Sequence, residues 1–582
     1  MRFGLRDMRW NTAVQCWWFA YALIVALCCM AAMYTLAVSQ WRGPWRDMWE
    51  VMPFLEKAMH GTASWSDYWE QYGFSHRPLI SRWLWVADLK WFAGSNLLLL
   101  VVSFAMQLLI FFSVRSVLQR DISFSAQQRS IVLVGVVFCL LNITQVFNFM
   151  HTFDVQWFLV TGSIVLSLSF ILQSSSVSSQ SLFAAWVLVF FASLNNFSGL
   201  VVWPIEILLL ICLRVSWQKI GIFTLAFIAY LFVYFYRLMP EEGGGPVSVL
   251  AQASWKQLML FCGLTLIKFP LWYLSNPLSF QLSTEGPLHA PVWVSWLAPS
   301  LVLVLLMASI RMWCRSLLYG TKFSAVAWLG LSLMLFGYGV SAVTAVGRIF
   351  FWDNVYALRY QNIVLLFWIG VVLWLSASVR WRNARLVVGS LLLLLIYLPN
   401  IGWYHEAMLK TGNRTRDAHL ALVVGLEKHL SAIQATVSRS HLGKDSKYTL
   451  EKEAGYLRIL HVGPYAESAW NNIPLLTELS TSSACQTPVA ERDVRGSDDS
   501  YARLSLRFRE PVSYNSVVWY DNSTTPFGLL IPVAADTWWA RLKQSRSGFA
   551  EYAGFSKQLP KQQPRDVFAR AGQQWCRLVF LQ

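Results

Sequence analysis

The chain has 582 residues, of which 56% are apolar and only 13% are charged, and its net charge is +16. A soluble domain carries about 25% charged residues, so this composition excludes an ordinary soluble protein and points to lipid. The basic excess does not indicate nucleic acid, because many basic residues lie in short clusters between apolar segments, where they set the orientation of membrane helices.

Charge-free windows of about 20 residues, the length that crosses a ~30 Å hydrocarbon core, recur along the chain. The first apolar stretch is too long for a signal-peptide core, so we expect a retained helix. The basic clusters then lie on one side with the N-terminus, and we take that side as the cytoplasm. Hydropathy predicts eleven spans, at 15–39, 95–114, 130–149, 155–173, 181–195, 199–213, 219–238, 292–310, 325–345, 361–379 and 384–401.

The segment Trp255–Leu274 makes the number of spans ambiguous. It is apolar enough to cross the membrane, and one more crossing would place two later basic clusters on the outer side. Because it contains Lys268 and Pro270, we predict an interfacial or re-entrant helix instead.

The first predicted outer loop, residues 40–94, contains two helical patterns. The first pattern has apolar residues at helical spacing, which predicts a helix along the membrane surface. These residues are Met48, Val51, Met52, Leu55 and Met59. A second helix is predicted after Pro78.

The tail, residues 405–582, is polar, and helix-like sequence segments alternate in it with strand-like segments such as "ARLSLRF". Period-two alternation favours half-buried strands, and the length suffices for a separate core. Only Cys485 and Cys576 lie in this part, which predicts a disulfide outside the membrane. We therefore predict a mainly α protein: a polytopic helical membrane domain over 1–404 and a C-terminal α+β domain over 405–582.

Distinctive polar residues gather on the predicted outer side. An acid there can act as a general base or hold a metal, an arginine fork suits a phosphate, and aromatic rings suit sugar faces. Lys268 lies in an apolar helix, where a charge is expensive, and we expect it to contact a lipid phosphate. The outer residues are Asp47, Glu50, His76, Arg77, His151, Asp154, Asn195, Asn196, Arg348, Arg359 and Tyr360.

Several segments carry a resemblance to a known class. "FSHRPLISRWLWVADLKWFAGSN" is similar to the His/Glu-Pro-Leu stretch that GT-C membrane glycosyltransferases carry before their second membrane helix. "GLVVWP" and "GRIFFWDNVYALRYQ" look like segments of bacterial members. One helix, an outer loop with an early acid and two surface helices complete a pattern that resembles this class over about residues 1–400.

The resemblance implies transfer of a sugar from a polyprenyl-phosphate donor to a glycan, lipid or secreted protein such as a pilin. It implies a multi-pass protein of the bacterial inner membrane with a periplasmic C-terminal domain. Asp47 matches the family's loop acid and would remove the proton of the acceptor hydroxyl. Arg348, Arg359 and Arg77 would neutralise the leaving phosphate.

The same reading places the substrate or donor against Glu50, His76, Asp154, Lys268 and Tyr360 as well. Families with a metal-binding acid pair need a second acid beside the first, and the next acid after Asp47 is Glu50, one helical turn on. We therefore expect no metal, and a divalent ion remains the alternative. Nucleic acid is not an expected partner.

Two other classes remain as alternatives. A transporter or flippase for lipid-linked glycans shows related halves and polar residues at mid-membrane, whereas here the polar residues cluster on one face. An O-antigen-type ligase or polymerase uses a large late outer loop, and the late loop here is about fifteen residues long. The sequence does not reveal the sugar or the acceptor.

Overall fold

The computed structural model describes most of the helical part of the chain and the strands of the tail. The described residues are 3–41, 43–72, 76–173, 177–236, 254–278, 292–348, 357–377, 382–397, 401–424, 426, 450–466, 479, 482–485, 489–498, 501–520, 526–534, 544, 548–556, 566–571 and 574–578.

The described chain is mainly helical. We number its helices α1 (Phe3–Ser39), α2 (Met52–Met59), α3 (Trp65–Trp69), α4 (Leu79–Phe92), α5 (Leu97–Arg120), α6 (Ala126–Leu140), α7 (Val146–Met150), α8 (Val155–Ile171), α9 (Ser179–Ser193), α10 (Val202–Cys212), α11 (Trp217–Phe235), α12 (Trp255–Gly263), α13 (Phe269–Ser275), α14 (Val292–Tyr319), α15 (Ala325–Arg348), α16 (Gln361–Ser376), α17 (Arg382–Tyr397), α18 (Ile401–Val423) and α19 (Leu450–Ile459).

Nine helical stretches among the described residues are long and apolar enough to cross a membrane. Eight of them overlap predicted spans, and two further predicted spans correspond to the shorter apolar helices Ser179–Ser193 and Phe197–Cys212. The nine are Val14–Ser39, Leu97–Arg120, Ala126–Met150, Thr152–Ile171, Trp217–Phe235, Trp255–Leu278, Trp296–Tyr319, Ala325–Val346 and Leu358–Ser376.

Two segments bear on the predicted number of spans. Trp255–Leu278 is one of the nine stretches by length and composition, and its interfacial or re-entrant placement stays a prediction; a π-helical turn, Leu264–Lys268, separates α12 from α13. The predicted span 384–401 overlaps α17, which has only 16 residues. The π turn accommodates an extra residue within the helix, so Pro270 does not end it.

The chain divides into two compact units. The first contains Met1–Tyr34, Ser64–Trp83 and Leu100–Tyr404. Its centre includes the packed pair α15 and α16, where a Cβ on Gly330 would lie 2.7 Å from the carbonyl oxygen of Gly370. Only glycine allows this approach, which is how small residues bring apolar helices together.

The second unit contains Thr35–Ala63, Leu84–Leu99 and His405–Gln582, so parts of the first loop fold with the tail. A hydrogen bond joins Thr35 to His405, and Nε2 of His419 donates to the carbonyl of Pro44 at 3.1 Å. Both histidines lie in α18 and are buried, and burial lowers the pKa of each to about 4. These neutral imidazoles therefore connect α18 to the end of α1 and to the chain that follows it.

The apolar face predicted for the first loop exists, but protein covers it. Met48, Val51, Met52 and Leu55 are each no more than 7% exposed. In this unit α2 packs against α19. The interpretation as a helix lying on lipid is therefore replaced by one in which this face forms part of a protein core.

Among the tail residues that the structure describes, seven strands form an antiparallel sheet in the order β1-β2-β5-β4-β3-β6-β7. Its inward side chains form one core that includes Leu504, Leu506, Leu530, Tyr552 and Val567. The alternation read in "ARLSLRF" is confirmed, since the two leucines are buried and Arg503 and Arg507 are exposed. The strands are β1 (Val489–Asp498), β2 (Tyr501–Val512), β3 (Ser516–Tyr520), β4 (Pro526–Pro532), β5 (Phe549–Ser556), β6 (Asp566–Ala571) and β7 (Gln574–Arg577).

The two edges of this sheet lie close together. The amide of Cys485 donates to the carbonyl of Arg577 at 2.8 Å, and Cys485 is bonded to Cys576 of β7. Val489 follows Cys485 by four positions, and a chain of that length spans at most about 14 Å. A flat seven-stranded sheet is about 29 Å wide, so this sheet is strongly curved.

Candidate functional site

Several chain segments meet at one end of the helical first unit. The amide of Leu79 donates to the carbonyl of Leu194 at 2.9 Å, which joins α4 to the end of α9. Nδ1 of His76 accepts from the amide of Phe197 at 3.4 Å. The rings of Tyr72 and Phe153 lie 5.0 Å apart. The segment that carries His76 and Arg77 therefore lies at the same end of the bundle as the turns after α7 and α9.

Arg77 is buried at this end and fastens two segments together. Its Nε donates to the carbonyl of Tyr234 at 2.9 Å, and its Nη2 donates to the carbonyl of Tyr236 at 2.8 Å. Its Nη1 donates to the carbonyl of Trp69 at 2.7 Å. The guanidinium thus ties the segment after α3 to the end of α11, and binding of the donor phosphate by Arg77 stays a prediction.

His151 and Asp154 form a buried pair in the turn between α7 and α8. Nδ1 of His151 lies 2.8 Å from Oδ2 of Asp154, and the two side chains are 3% and 1% exposed. The 3-10 turn Thr152–Asp154 brings them together, since the amide of Asp154 donates to the carbonyl of His151. A carboxylate can only accept, so it places the proton of a neutral imidazole on Nδ1 and leaves Nε2 as the basic nitrogen.

Aromatic rings lie beside this pair and at the start of α16. The ring of Tyr360 lies 6.0 Å from that of Trp157 and 5.0 Å from that of Tyr273. Arg359 is half-buried, and its guanidinium carbon lies 5.6 Å from the ring centre of Tyr360.

Lys268 and Arg348 complete the predicted residues of the first unit. Lys268 is exposed on the π turn, and its Nζ lies 5.9 Å from the ring centre of Trp272. Arg348 is the last residue of α15, and its side chain lies outside the described residues. Their predicted contacts with a lipid phosphate stay predictions.

Asp47 and Glu50 belong to the second unit. Both are half-buried, and both lie in the turn that leads into α2. The N-cap position of the short 3-10 helix Trp49–Val51 is Met48, so Asp47 precedes the cap. Its role as the acceptor's base stays a prediction.

The second unit also contains a buried carboxyl that the sequence did not single out. Glu453 of α19 is 5% exposed, and neither carboxyl oxygen has a hydrogen-bond partner among the described residues. Burial and the nearby Glu56 raise the pKa of Glu453 to about 8, although Lys452 lowers it. Nζ of Lys452 lies 3.2 Å from Oε2 of Glu56.

Sequence reasoning also missed four buried amides in the first unit: Gln107, Gln145, Asn148 and Asn362. These amides could have been found in the sequence as polar residues within apolar segments, such as "NITQVFN" before His151 and "QN" at the start of α16.

Among the described residues, no three His, Cys, Asp or Glu side chains group closely enough to hold a metal ion. The chemistry present at the end of the first unit is instead an imidazole–carboxylate pair, amides and aromatic rings. No family model, no curated protein and no solved structure matches this chain.

Proposed function

We propose that this protein is a bacterial inner-membrane glycosyltransferase of GT-C type that moves a sugar from a polyprenyl-phosphate donor to an acceptor on the periplasmic side. The acceptor is a glycan, a lipid-linked glycan or a secreted protein such as a pilin. The proposed topology places the N-terminus in the cytoplasm and the sheet domain in the periplasm.

The observation that carries the proposal is the buried His151–Asp154 pair at one end of a helical unit whose long helices are apolar. Sugar transfer to a hydroxyl requires a group that accepts the hydroxyl proton, and an imidazole oriented by a carboxylate is suited to that task. Buried amides and aromatic rings nearby supply the hydrogen bonds and flat apolar faces that sugars require.

Two groups compete for the role of base. The resemblance assigns it to Asp47 of the second unit, and the buried pair makes His151 the alternative in the first unit. Arg359 and Arg348 remain the proposed phosphate ligands because they flank the loop between α15 and α16. Arg77 is less suited to that role, since three backbone carbonyls already accept hydrogen bonds from its guanidinium.

Mass spectrometry of envelope glycans and secreted proteins, with and without this gene, tests the function. We expect one sugar to disappear from one acceptor when the gene is absent and to return with the wild-type chain. An unchanged glycan profile would contradict the proposal. Transfer by the purified protein from a polyprenyl-phosphate sugar then establishes that the protein catalyses the step itself.

One observation favours a second function, movement of a lipid-linked glycan across the membrane. Glu206 of α10 is fully buried, and Oγ of Ser167 contacts its carboxyl. A buried acid within an apolar helix is a common feature of transport pathways. Movement of a labelled polyprenyl-phosphate sugar across vesicles, without covalent change and lost in Glu206→Gln, would favour this function over transfer.

A further inference from the structure

Four amide side chains and one hydroxyl form a chain of hydrogen bonds inside the first unit, which we call the amide cluster. Nε2 of Gln107 and Nε2 of Gln145 both donate to Oδ1 of Asn362, each at 3.4 Å. Nδ2 of Asn148 donates to Oε1 of Gln145 at 2.9 Å. Nδ2 of Asn362 donates to Oγ1 of Thr161 at 3.4 Å. The cluster thereby connects α5, α7, α8 and α16.

The amide cluster is buried among apolar helices. Its four amides are no more than 3% exposed, and Thr161 is fully buried. Gln107 lies ten residues after the first residue of α5, which corresponds to about 15 Å along that helix. Phe149, next to Asn148, stacks on Phe104 with 4.4 Å between ring centres. Polar groups in such surroundings are costly unless they are hydrogen-bonded.

Thr161 determines the direction of every hydrogen bond in the cluster. Its hydroxyl donates its single hydrogen to the carbonyl of Trp157 or Phe158, at 3.0 and 3.2 Å, so its oxygen can only accept from Asn362. Asn362 therefore presents Oδ1 to both glutamines, which must each donate. Asn148 in turn donates to Gln145.

With the hydrogen bonds oriented in this way, an amide oxygen atom at each end of the cluster remains to accept a hydrogen bond. Oε1 of Gln107 and Oδ1 of Asn148 are buried and have no hydrogen-bond partner among the described residues. The same holds for both amide atoms of Gln361, which is fully buried beside Asn362 in sequence. Each unsatisfied buried polar atom costs about 1–3 kcal/mol, so a water or a ligand that donates hydrogen bonds to these oxygen atoms would stabilise the site.

Resting on the proposed sugar transfer, we propose that the amide cluster binds hydroxyl groups of the sugar ring carried by the lipid-linked donor. A hydroxyl donates to the amide oxygens of Gln107 and Asn148, and it can both donate to and accept from Gln361. A phosphate offers acceptors only and would meet like oxygen atoms. The cluster therefore recognises the sugar, and the phosphate of the donor binds elsewhere.

Lipid binding to the purified protein in nanodiscs tests this site. The probes are undecaprenyl phosphate and the same lipid carrying one of a panel of hexoses or pentoses, and native mass spectrometry reports the affinities. We expect at least one sugar-bearing lipid to bind more tightly than the sugar-free lipid. Gln107→Leu and Asn362→Leu should lower that affinity about 10-fold and leave the sugar-free lipid unaffected.

Gln156→Leu is the matched control, because Gln156 is also a buried amide but bonds Asn196, at 3.1 Å, outside the cluster. Gln107→Met keeps the length and the apolar contacts of the side chain, so it replaces Gln107→Leu if that variant does not fold. Size-exclusion profiles and melting temperatures identify folded variants.

Three outcomes overturn the site: no sugar-bearing lipid exceeds the sugar-free lipid, the folded variants weaken both lipids equally, or they weaken neither. The first outcome indicates that the amides hold only water. The site and the proposed function fail separately. If the sugar-bearing lipid binds tightly, the variants weaken that binding and no transfer is observed, the site is supported and the transferase is contradicted. If the protein transfers sugar but the variants bind the lipid as the wild type does, the transferase is supported and the site is contradicted.

Discussion

The carboxylate of Asp154 accepts a hydrogen bond from Nδ1 of His151 at 2.8 Å, with both side chains shielded from solvent. Because the pair lies within one 3-10 turn, its geometry is determined by backbone hydrogen bonds rather than by long flexible side chains. The basic nitrogen of the imidazole is consequently held in one orientation. This arrangement leads to the first prediction.

Asp154→Asn is expected to lower sugar transfer about 10²- to 10⁴-fold, the range typical of general acid–base catalysis. The asparagine amide can donate to Nδ1, which moves the imidazole proton to Nε2 and removes the basic nitrogen. Transfer rates of the purified protein at saturating donor provide the measurement. His151→Gln should match this loss, and wild-type rates in both variants would exclude the pair from the chemistry.

Asp47→Asn tests the competing assignment of the base. If the resemblance identifies the base correctly, this variant loses transfer while its expression and melting temperature remain those of the wild type. Glu56→Gln is the matched control, since it changes another loop carboxylate whose partner Lys452 is 70% exposed, and such pairs contribute little. Full activity of Asp47→Asn together with inactivity of Asp154→Asn would assign the base to the first unit.

Arg77→Met is expected to lower the free energy of unfolding by about 3–5 kcal/mol. The substitution leaves the carbonyls of Trp69, Tyr234 and Tyr236 without the donor that now serves all three. The control Lys90→Met, at an exposed position of α4, should change the free energy of unfolding by less than about 0.5 kcal/mol. Denaturation of both variants in the same detergent gives the comparison, and equal stabilities would contradict the structural role.

Much of the architecture was predictable because hydropathy and period-two alternation act locally. The apolar spans and the half-buried strand at Leu504 and Leu506 follow from patterns that a few neighbouring residues define. The pairing of Cys485 with Cys576 was predictable for a different reason, since only these two cysteines lie in the polar tail.

The buried polar groups were less predictable, because their roles depend on contacts between residues distant in sequence. Asn362 bonds Gln107 across 255 positions, and no local pattern marks that pairing. Arg77 has the composition of a phosphate ligand, yet its guanidinium is occupied by carbonyls that lie 157 and 159 residues away. Local patterns also did not reveal the π turn between α12 and α13, which accommodates Lys268 and Pro270 within one apolar stretch.

Replacing Cys485 and Cys576 together by Ser is expected to destabilise the sheet by about 2–5 kcal/mol. The bond joins residues 91 positions apart, so it restricts a large loop of the unfolded tail. Limited proteolysis of the whole protein should cut the tail sooner in the double variant. Replacement of Cys262 by Ser provides the control, because this exposed thiol is not bonded. Equal cleavage rates in both variants would contradict a stabilising role.

Glu453 predicts that the stability of the second unit depends on pH. Burial and Glu56 raise the pKa of Glu453 to about 8, so the folded state holds its proton more tightly than the unfolded state, whose pKa is near 4.5. The stabilisation that this proton provides is complete below about pH 4.5 and is lost as the pH rises through 8. Glu453→Gln keeps the shape of the protonated acid but cannot ionise.

The difference in unfolding free energy between Glu453→Gln and the wild type should therefore grow in favour of the variant between pH 5 and pH 8. Its slope should not exceed about 1.4 kcal/mol per pH unit, the value for one proton. The two buried histidines of α18, whose pKa values are lowered from 6.5 to about 4, act in the opposite direction between about pH 4 and 6.5. Their effect is the same in both proteins, so it cancels in the difference. Glu510→Gln, at an exposed position of β2, serves as the control. A difference that stays constant across this range would show that the Glu453 carboxyl is ionised in the folded protein at neutral pH, and that water or a cation reaches it.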